Sequence, residues 1–357
     1  MIEGLDRLLD NSGQPGVTEL RSLLEELLGG REAVGRLIEH ETLQPRGLRM
    51  FRLRFGVSER IVTVVVKRLR PAIGRRTELV ARRWMPAVGL SDSGPPLLGS
   101  AAERGGNYVW HVYDDLGRHE LDRCQDDRKR IGTAVELIAS VHTRFAKHPL
   151  LGEVRMHGGD LGIRSYESNV NDAVYALDAC RGDAQHDRLR NRLLQRLYTL
   201  RQELARRAHM LDECGGPETL LHGDLWPINV FVIPNAAGFH GRLIDWDHVG
   251  VGPASYDLST FLSRLPRQHR TWAMNAYREH TARAGWSLPS VPELNFLFET
   301  AEYARYANRV IWPAIALVHD HAAWGWEMLA EVDTWFEHLE PVLPLEHERR
   351  NANLAHR

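Results

Sequence analysis

Most of the strand-forming sequence in this chain lies in its first third, and that asymmetry limits the folds open to it. Residues 48–55 (LRMFRLRF) and 61–67 (IVTVVVK) read as strands joined through Gly56-Val57-Ser58-Glu59-Arg60, a hairpin pattern. Asn107 to Tyr113 (NYVWHVY) reads as another strand, with a helix over 76–87 before it. Ahead of the hairpin, residues 17–28 (VTELRSLLEELL) carry apolar positions at helical spacing and stop at Gly29-Gly30. Residues 32–40 read as a second short helix, so 1–45 is expected to be a helical extension. After about residue 120 the pattern turns helical, with helices expected over 127–147, 166–180, 185–212, 255–264, 268–284, 292–311 and 314–337. One β island interrupts them: 230–233 (VFVI) and 242–245 (RLID) flank a loop of Pro, Asn, Gly and Ala. The expected architecture is α+β, with a small β-rich front lobe over 46–115, a crossing segment near 113–118 and a large helical back lobe over 116–357. The polar tail 345–357 is expected to fray.

Composition narrows the function classes. The 357 residues suffice for two lobes. A net charge of −2 gives no electrostatic footprint for nucleic acid and no basic face for a membrane. No apolar run approaches the roughly 18 residues of a membrane span. The start, MIEGLDRLLD, carries acids where a secretory signal has a basic flank and an apolar core. Cys124, Cys180 and Cys214 are odd in number and far apart, which argues against a disulfide framework or a zinc site and for a reducing cytoplasm.

The chemistry sits in Leu220-Leu221-His222-Gly223-Asp224-Leu225-Trp226-Pro227-Ile228-Asn229-Val230-Phe231-Val232-Ile233, continued by Leu243-Ile244-Asp245-Trp246-Asp247. Asp224 and Asn229 have D-x4-N spacing, which a chain this long supplies about once by chance; Asp6 and Asn11 repeat it in an amphipathic segment with nothing else around them. Context separates the two. Asp224 follows a Gly-bearing turn, a strand starts right after Asn229, and a second strand ends in Asp245. A hairpin would bring Asn229 and Asp245 together at one metal site with Asp224 beside them. Phosphoryl transfer needs those groups: oxygen ligands for Mg²⁺, and a separate carboxylate to orient the acceptor hydroxyl and take its proton. A capped turn before a strand is the plain alternative for His-Gly-Asp by itself.

Lys67 gives an independent check. Only three of 45 basic residues are lysines, and this one closes the apolar run Ile61 to Val66. A lysine at a strand end can snorkel to the surface; buried without a partner it costs several kcal/mol. It also stands where a phosphate-binding ammonium would. Between residues 68 and 102 the only acids are Glu78, in the expected helix, and Asp92, in a loop, so Glu78 is the expected partner.

HGDLWPINVFV followed by LIDWDHVGVGPASYDLS resembles the aminoglycoside phosphotransferase and choline-kinase-like family over roughly residues 46–265. The resemblance implies the protein-kinase fold and transfer of the γ-phosphate of ATP or GTP, with Mg²⁺, to a small-molecule hydroxyl. It implies Asp224 as catalytic base, Asn229 and Asp245 as Mg²⁺ ligands, Lys67 on the α and β phosphates and Glu78 bracing it. Tyr113, Asp114 and Asp115 would be the hinge whose backbone reads the base, and Phe231 and Ile244 the floor beneath it. Asp257 matches a position that braces the catalytic loop, or is simply an acid favoured at a helix N-terminus. The departures are a single Gly in the 56–60 loop, Gly252-Pro253-Ala254 where Gly-Asp-Pro is frequent, and Ile228 in place of a small or polar residue. Only eleven residues separate Asp245 from Asp257, too few for a peptide-docking activation segment. Met156-His157-Gly158-Gly159-Asp160 is a second His-Gly-rich turn without a following Asn, read as a loop or a wall of the acceptor pocket.

The acceptor is expected among the late helices. Glu299, Glu302, Asp320, Glu327, Glu331 and Asp333 would suit a polycationic antibiotic of the aminoglycoside type, or form a solvated face. Tyr303, Tyr306, Trp312, Trp324 and Trp326 are expected mainly in the core. An amino alcohol, a sugar or a natural-product intermediate is the alternative acceptor, and a silent binding protein on the same fold the alternative class.

Overall fold

The computed structural model describes residues 2–5, 13–29, 35–43 and 49–345. The chain forms two compact units, Met1–Cys124 with Ile228–His248, and Gln125–Pro227 with Val249–Arg357. The Asp6/Asn11 pair and almost all of the polar tail lie outside the described residues.

The first unit is built on a six-stranded sheet of β1 (Ile2–Glu3), β2 (Gly35–Thr42), β3 (Met50–Val57), β4 (Arg60–Leu69), β5 (Leu97–Ala102) and β6 (Val109–Asp114), in the order β1-β2-β3-β4-β6-β5. Alternation sets its faces. Phe51, Leu53 and Phe55 of β3, Val64 and Val66 of β4, and Trp110 and Val112 of β6 bury one face. Helix α1 (Val17–Leu27) closes that face with fully buried Leu20 and Leu24. Trp110 Nε1 donates to Pro15 O at 2.9 Å.

The first 45 residues therefore differ from the expected extension. Where a helix over 32–40 was expected, 32–34 lie outside the described residues and residues 35–42 are a strand paired antiparallel to β3. Pairing with a neighbouring edge overrides their weak local preference. The hairpin holds, with Ser58 and Glu59 as a two-residue turn and Ser58 at φ 54°. Strand β5 carried no clear periodicity. Helix α2 (Pro71–Leu79) begins with a proline at its first turn and runs on through a π turn at Val80–Trp84. Strands β8 (Val230–Asn235) and β9 (Gly238–Leu243) pair antiparallel in this unit, with Val230 opposite Leu243.

The second unit holds α3 (Arg128–Phe145), α4 (Leu151–His157), α5 (Ile163–Ala179), α6 (Ala184–Gln202), α7 (Leu204–Cys214), α8 (Ser255–Arg264), α9 (Arg267–Ala282), α10 (Val291–His319) and α11 (Trp324–His338). Strands β7 (Glu218–Leu221) and β10 (Gly250–Pro253) pair antiparallel among them. The expected 185–212 helix breaks at Glu203. Pro313 does not end α10, which runs through it to His319, because Val310, Ala314 and Ala316 around it are fully buried and hold the helix in place. The Ser290/Glu293 capping box sets its start.

Candidate functional site

Strand β4 places Lys67 opposite His111 of β6, on the sheet face away from α1. Its Nζ lies 2.6 Å from Asp245 Oδ1 and 2.9 Å from both Asp247 oxygens. Only 13% of the Lys67 side chain is exposed. Burial alone would lower its pKa, but the charges of Asp245 and Asp247 outweigh that and raise it, so the ammonium stays charged. Burial and then the Asp245 charge push the Asp247 carboxyl up, against the pull of Lys67.

Glu78, the expected brace, instead pairs with Arg82 at 3.5 Å, one helical turn on. The counter-charge to Lys67 arrives from the end of the β8–β9 hairpin. Asp247 carried no assigned role in the sequence reading. Its signal was the Asp-Trp-Asp spacing just past the strand.

The hairpin brings its ends together as the sequence implied. Ile244 N donates to Asn229 O at 3.0 Å, so Asn229 and the residue before Asp245 stand across its base. Asn229 is buried. Asp245 takes φ 63°, a left-handed conformation that costs a non-glycine residue about 1 kcal/mol or more and concentrates at functional positions. Phe231 is buried and bridges to Glu120, and Ile244 is half-buried. Among the described residues no three His, Cys, Asp or Glu side chains form a ready cage for a metal. The carboxylate of Asp245 and the amide oxygen of Asn229 are hard ligands that fit Mg²⁺ when phosphate and water oxygens complete its shell.

At the expected hinge, Tyr113 faces the sheet side of Lys67. Its hydroxyl lies 2.9 Å from His111 Nδ1, and burial raises its pKa. His111 is fully buried and its pKa falls to about 4, first through burial and then through the Lys67 charge. The Asp114 N–H donates to Pro96 O at 3.1 Å and the Asp115 N–H to Thr63 O at 3.4 Å. Those two amides already serve the sheet. The Asp115 carboxylate accepts from Arg52 at 3.1 Å.

Asp224 stands in the second unit, half-buried on the loop after β7. Gly223 at φ 82° makes the turn that its side-chain-free backbone permits. Asp257, fully buried in the first turn of α8, grips this loop. It accepts from His222 N at 2.7 Å and Gly223 N at 2.9 Å. His142 Nε2 lies 3.4 Å away, and its Nδ1 is 2.8 Å from the Tyr277 hydroxyl. A carboxylate only accepts, so His142 Nε2 carries the proton of this contact. Burial pushes the Asp257 pKa up, yet His142 and the loop amides more than offset it and hold the carboxyl below its usual range.

The 156–160 turn packs on β10: Leu161 N donates to Val251 O at 2.7 Å, and Asp160 accepts from Gly162 N at 2.8 Å. Of the six late-helix acids, three are neutralised. Glu299 pairs with Arg207, Glu302 with Arg305, and Asp333 with Arg192 and Arg196. Asp320, Glu327 and Glu331 are exposed. Tyr303, Tyr306 and Trp326 pack as expected, but Trp312 and Trp324 are 63% and 44% exposed.

A family model for the phosphotransferase enzyme family matches residues 49–294. A comparison with curated protein sequences gave no match. Among solved structures, an aminoglycoside 2'-phosphotransferase-IIIa in its GDP complex is 15% identical, covers 90% of this chain and 99% of its own, and superposes with a TM-score of 0.54. An ethanolamine kinase of Plasmodium vivax is 11% identical over 84% of this chain and 81% of its own, with a TM-score of 0.53. A spectinomycin phosphotransferase in complex with ADP and spectinomycin is 10% identical over 86% and 91%, with a TM-score of 0.51. These likenesses show the fold, which is protein-kinase-like.

Proposed function

We propose that this chain, which belongs to the phosphotransferase enzyme family and is a phosphotransferase with an alcohol group as acceptor, moves the γ-phosphate of ATP or GTP onto a small-molecule hydroxyl through Asp224, Asn229, Asp245 and Lys67. The observation that carries this reading is the convergence of Lys67 and Asp245 across 178 residues of sequence. An ammonium and a carboxylate held together at the end of a hairpin are the parts that a phosphate chain and its cation need.

The roles follow from the chemistry of each group. Lys67 is a point charge for the α and β phosphates. Asn229 and Asp245 would hold Mg²⁺, which neutralises charge developing on the phosphate oxygens. Asp224 takes the acceptor's proton; five residues of chain keep it within about 18 Å of Asn229. Asp257 fixes the backbone that carries Asp224. Phe231 and Ile244 would lie under the base, with Tyr113 to Asp115 at its edge. The free cysteines fit a reducing cytoplasm, and no helix of the described residues is long and apolar enough to cross a membrane.

An antibiotic of the aminoglycoside type is the first acceptor class to test. The arginine pairing of Glu299, Glu302 and Asp333 favours a second reading, an acceptor of lower positive charge such as an amino alcohol, a sugar or a natural-product intermediate. Resistance on expression in a sensitive host, run beside a panel of amino alcohols and sugars, separates them. Asp224→Ala is expected to lower kcat by at least about a thousandfold with nucleotide affinity held within threefold. Asp245→Ala is expected to weaken nucleotide binding in Mg²⁺ but not in chelator. A near-full rate in the first variant, or unchanged affinity in the second, refutes the assignment.

A further inference from the structure

Lys67 holds three carboxylate oxygens with three donors. An ammonium carries three N–H groups. The oxygens within 2.9 Å of Nζ are Asp245 Oδ1, Asp247 Oδ1 and Asp247 Oδ2. No donor remains for a phosphate. The three charges sum to minus one, the wrong sign for a polyanion. Asp245 makes the shorter contact, but Asp247 turns both of its oxygens to Nζ, and its side chain is only 21% exposed. Glu78 cannot relieve it, because its carboxylate is turned to Arg82.

We infer that Asp247 is a positioning residue that latches Lys67. It keeps the ammonium occupied and the cluster anionic until a divalent cation shares its carboxylates. Nucleotide affinity is thereby made conditional on the cation more steeply than Lys67 alone would make it. The inference rests on the reading of Lys67 as a phosphate-binding group and deepens it. Without Asp247, one donor pair of Lys67 is released and one negative charge leaves the immediate surroundings. Both changes favour a phosphate in the absence of metal.

The test is the dissociation constant of ADP for the full chain by calorimetry, in Mg²⁺ and in EDTA, for the wild type and Asp247→Asn. The wild type is expected to bind ADP far more weakly in EDTA than in Mg²⁺. Asp247→Asn in EDTA is expected to bind roughly tenfold tighter than the wild type in EDTA, the effect of one unit charge a few ångströms away in a partly solvated site. Equal or weaker binding by Asp247→Asn in EDTA overturns the latch while leaving the nucleotide site standing. A wild type that binds no ADP in either buffer overturns the nucleotide site and the latch with it. Asp247→Ser serves the same comparison if the asparagine variant does not fold. A second readout uses the scarcity of lysine: Lys67, Lys129 and Lys147 are the only three. Acylation of Lys67 by an amine-reactive ester, scored by mass against the other two, is expected to speed up severalfold in the variant. An unchanged Lys67 rate contradicts the latch.

Discussion

Replacing Asp257 by Asn keeps the shape of the side chain and removes its charge, and the consequences can be worked from its contacts. The carboxylate accepts from two loop amides, His222 N at 2.7 Å and Gly223 N at 2.9 Å. An asparagine offers one acceptor oxygen and turns an NH₂ toward the other amide. One charge-assisted hydrogen bond is lost and one buried N–H is left unpaired, which together cost about 3 kcal/mol. For a protein of this size that lowers Tm by roughly 4 °C. The pH dependence carries a sign. The folded pKa of Asp257 is depressed, so its stabilisation is fully present above the unfolded carboxyl value of about 4 and is lost as pH falls toward the folded value. Melting curves of wild type and Asp257→Asn should stay apart by a constant gap from pH 8 to pH 5 and converge below pH 4. Equal melting at pH 7, or a gap that widens in acid, refutes the account of Asp257 as a buried anion clamping the loop.

Other perturbations test separate links. Glu78→Gln is expected to change the KM for nucleotide less than about threefold, because Glu78 holds Arg82 and not Lys67; a loss as large as that of Lys67→Met would restore Glu78 as the brace. His111 titrates near 4 in the folded chain against an unfolded value near 6.5. Its neutral form therefore stabilises the fold above pH 6.5, and that share is lost between pH 6.5 and 4. His111→Asn should flatten this part of the stability–pH curve measured by urea unfolding, and an unchanged slope would count against it. A Cβ at Gly158 would lie 2.2 Å from Val249 O, a backbone atom that cannot swing aside. Gly158→Ala should cost about 2–4 kcal/mol in urea unfolding, and a variant as stable as the wild type would show that β10 can shift.

The amino-acid sequence by itself determined what depends on near neighbours. The strand-forming runs 48–55 and 61–67 around Gly56–Arg60 marked the hairpin, helical spacing marked α3, α5, α8 and α9, and the order Asp224, Asn229, strand, strand, Asp245 marked the groups proposed to react. These patterns repeat within two to four residues, where side-chain direction is set by the backbone. Only the tertiary structure decided which distant groups meet. That 35–42 is a strand follows from an available edge on β3, and that α1 is a layer of the sheet follows from Leu20 and Leu24 sinking into it. Asp247, not Glu78, reached Lys67 because sheet register and hairpin length carried its carboxylate across 180 residues of chain. Strength of charge says nothing about which partner arrives first; proximity in the folded chain settles it, and proximity is a property of packing that no local window contains.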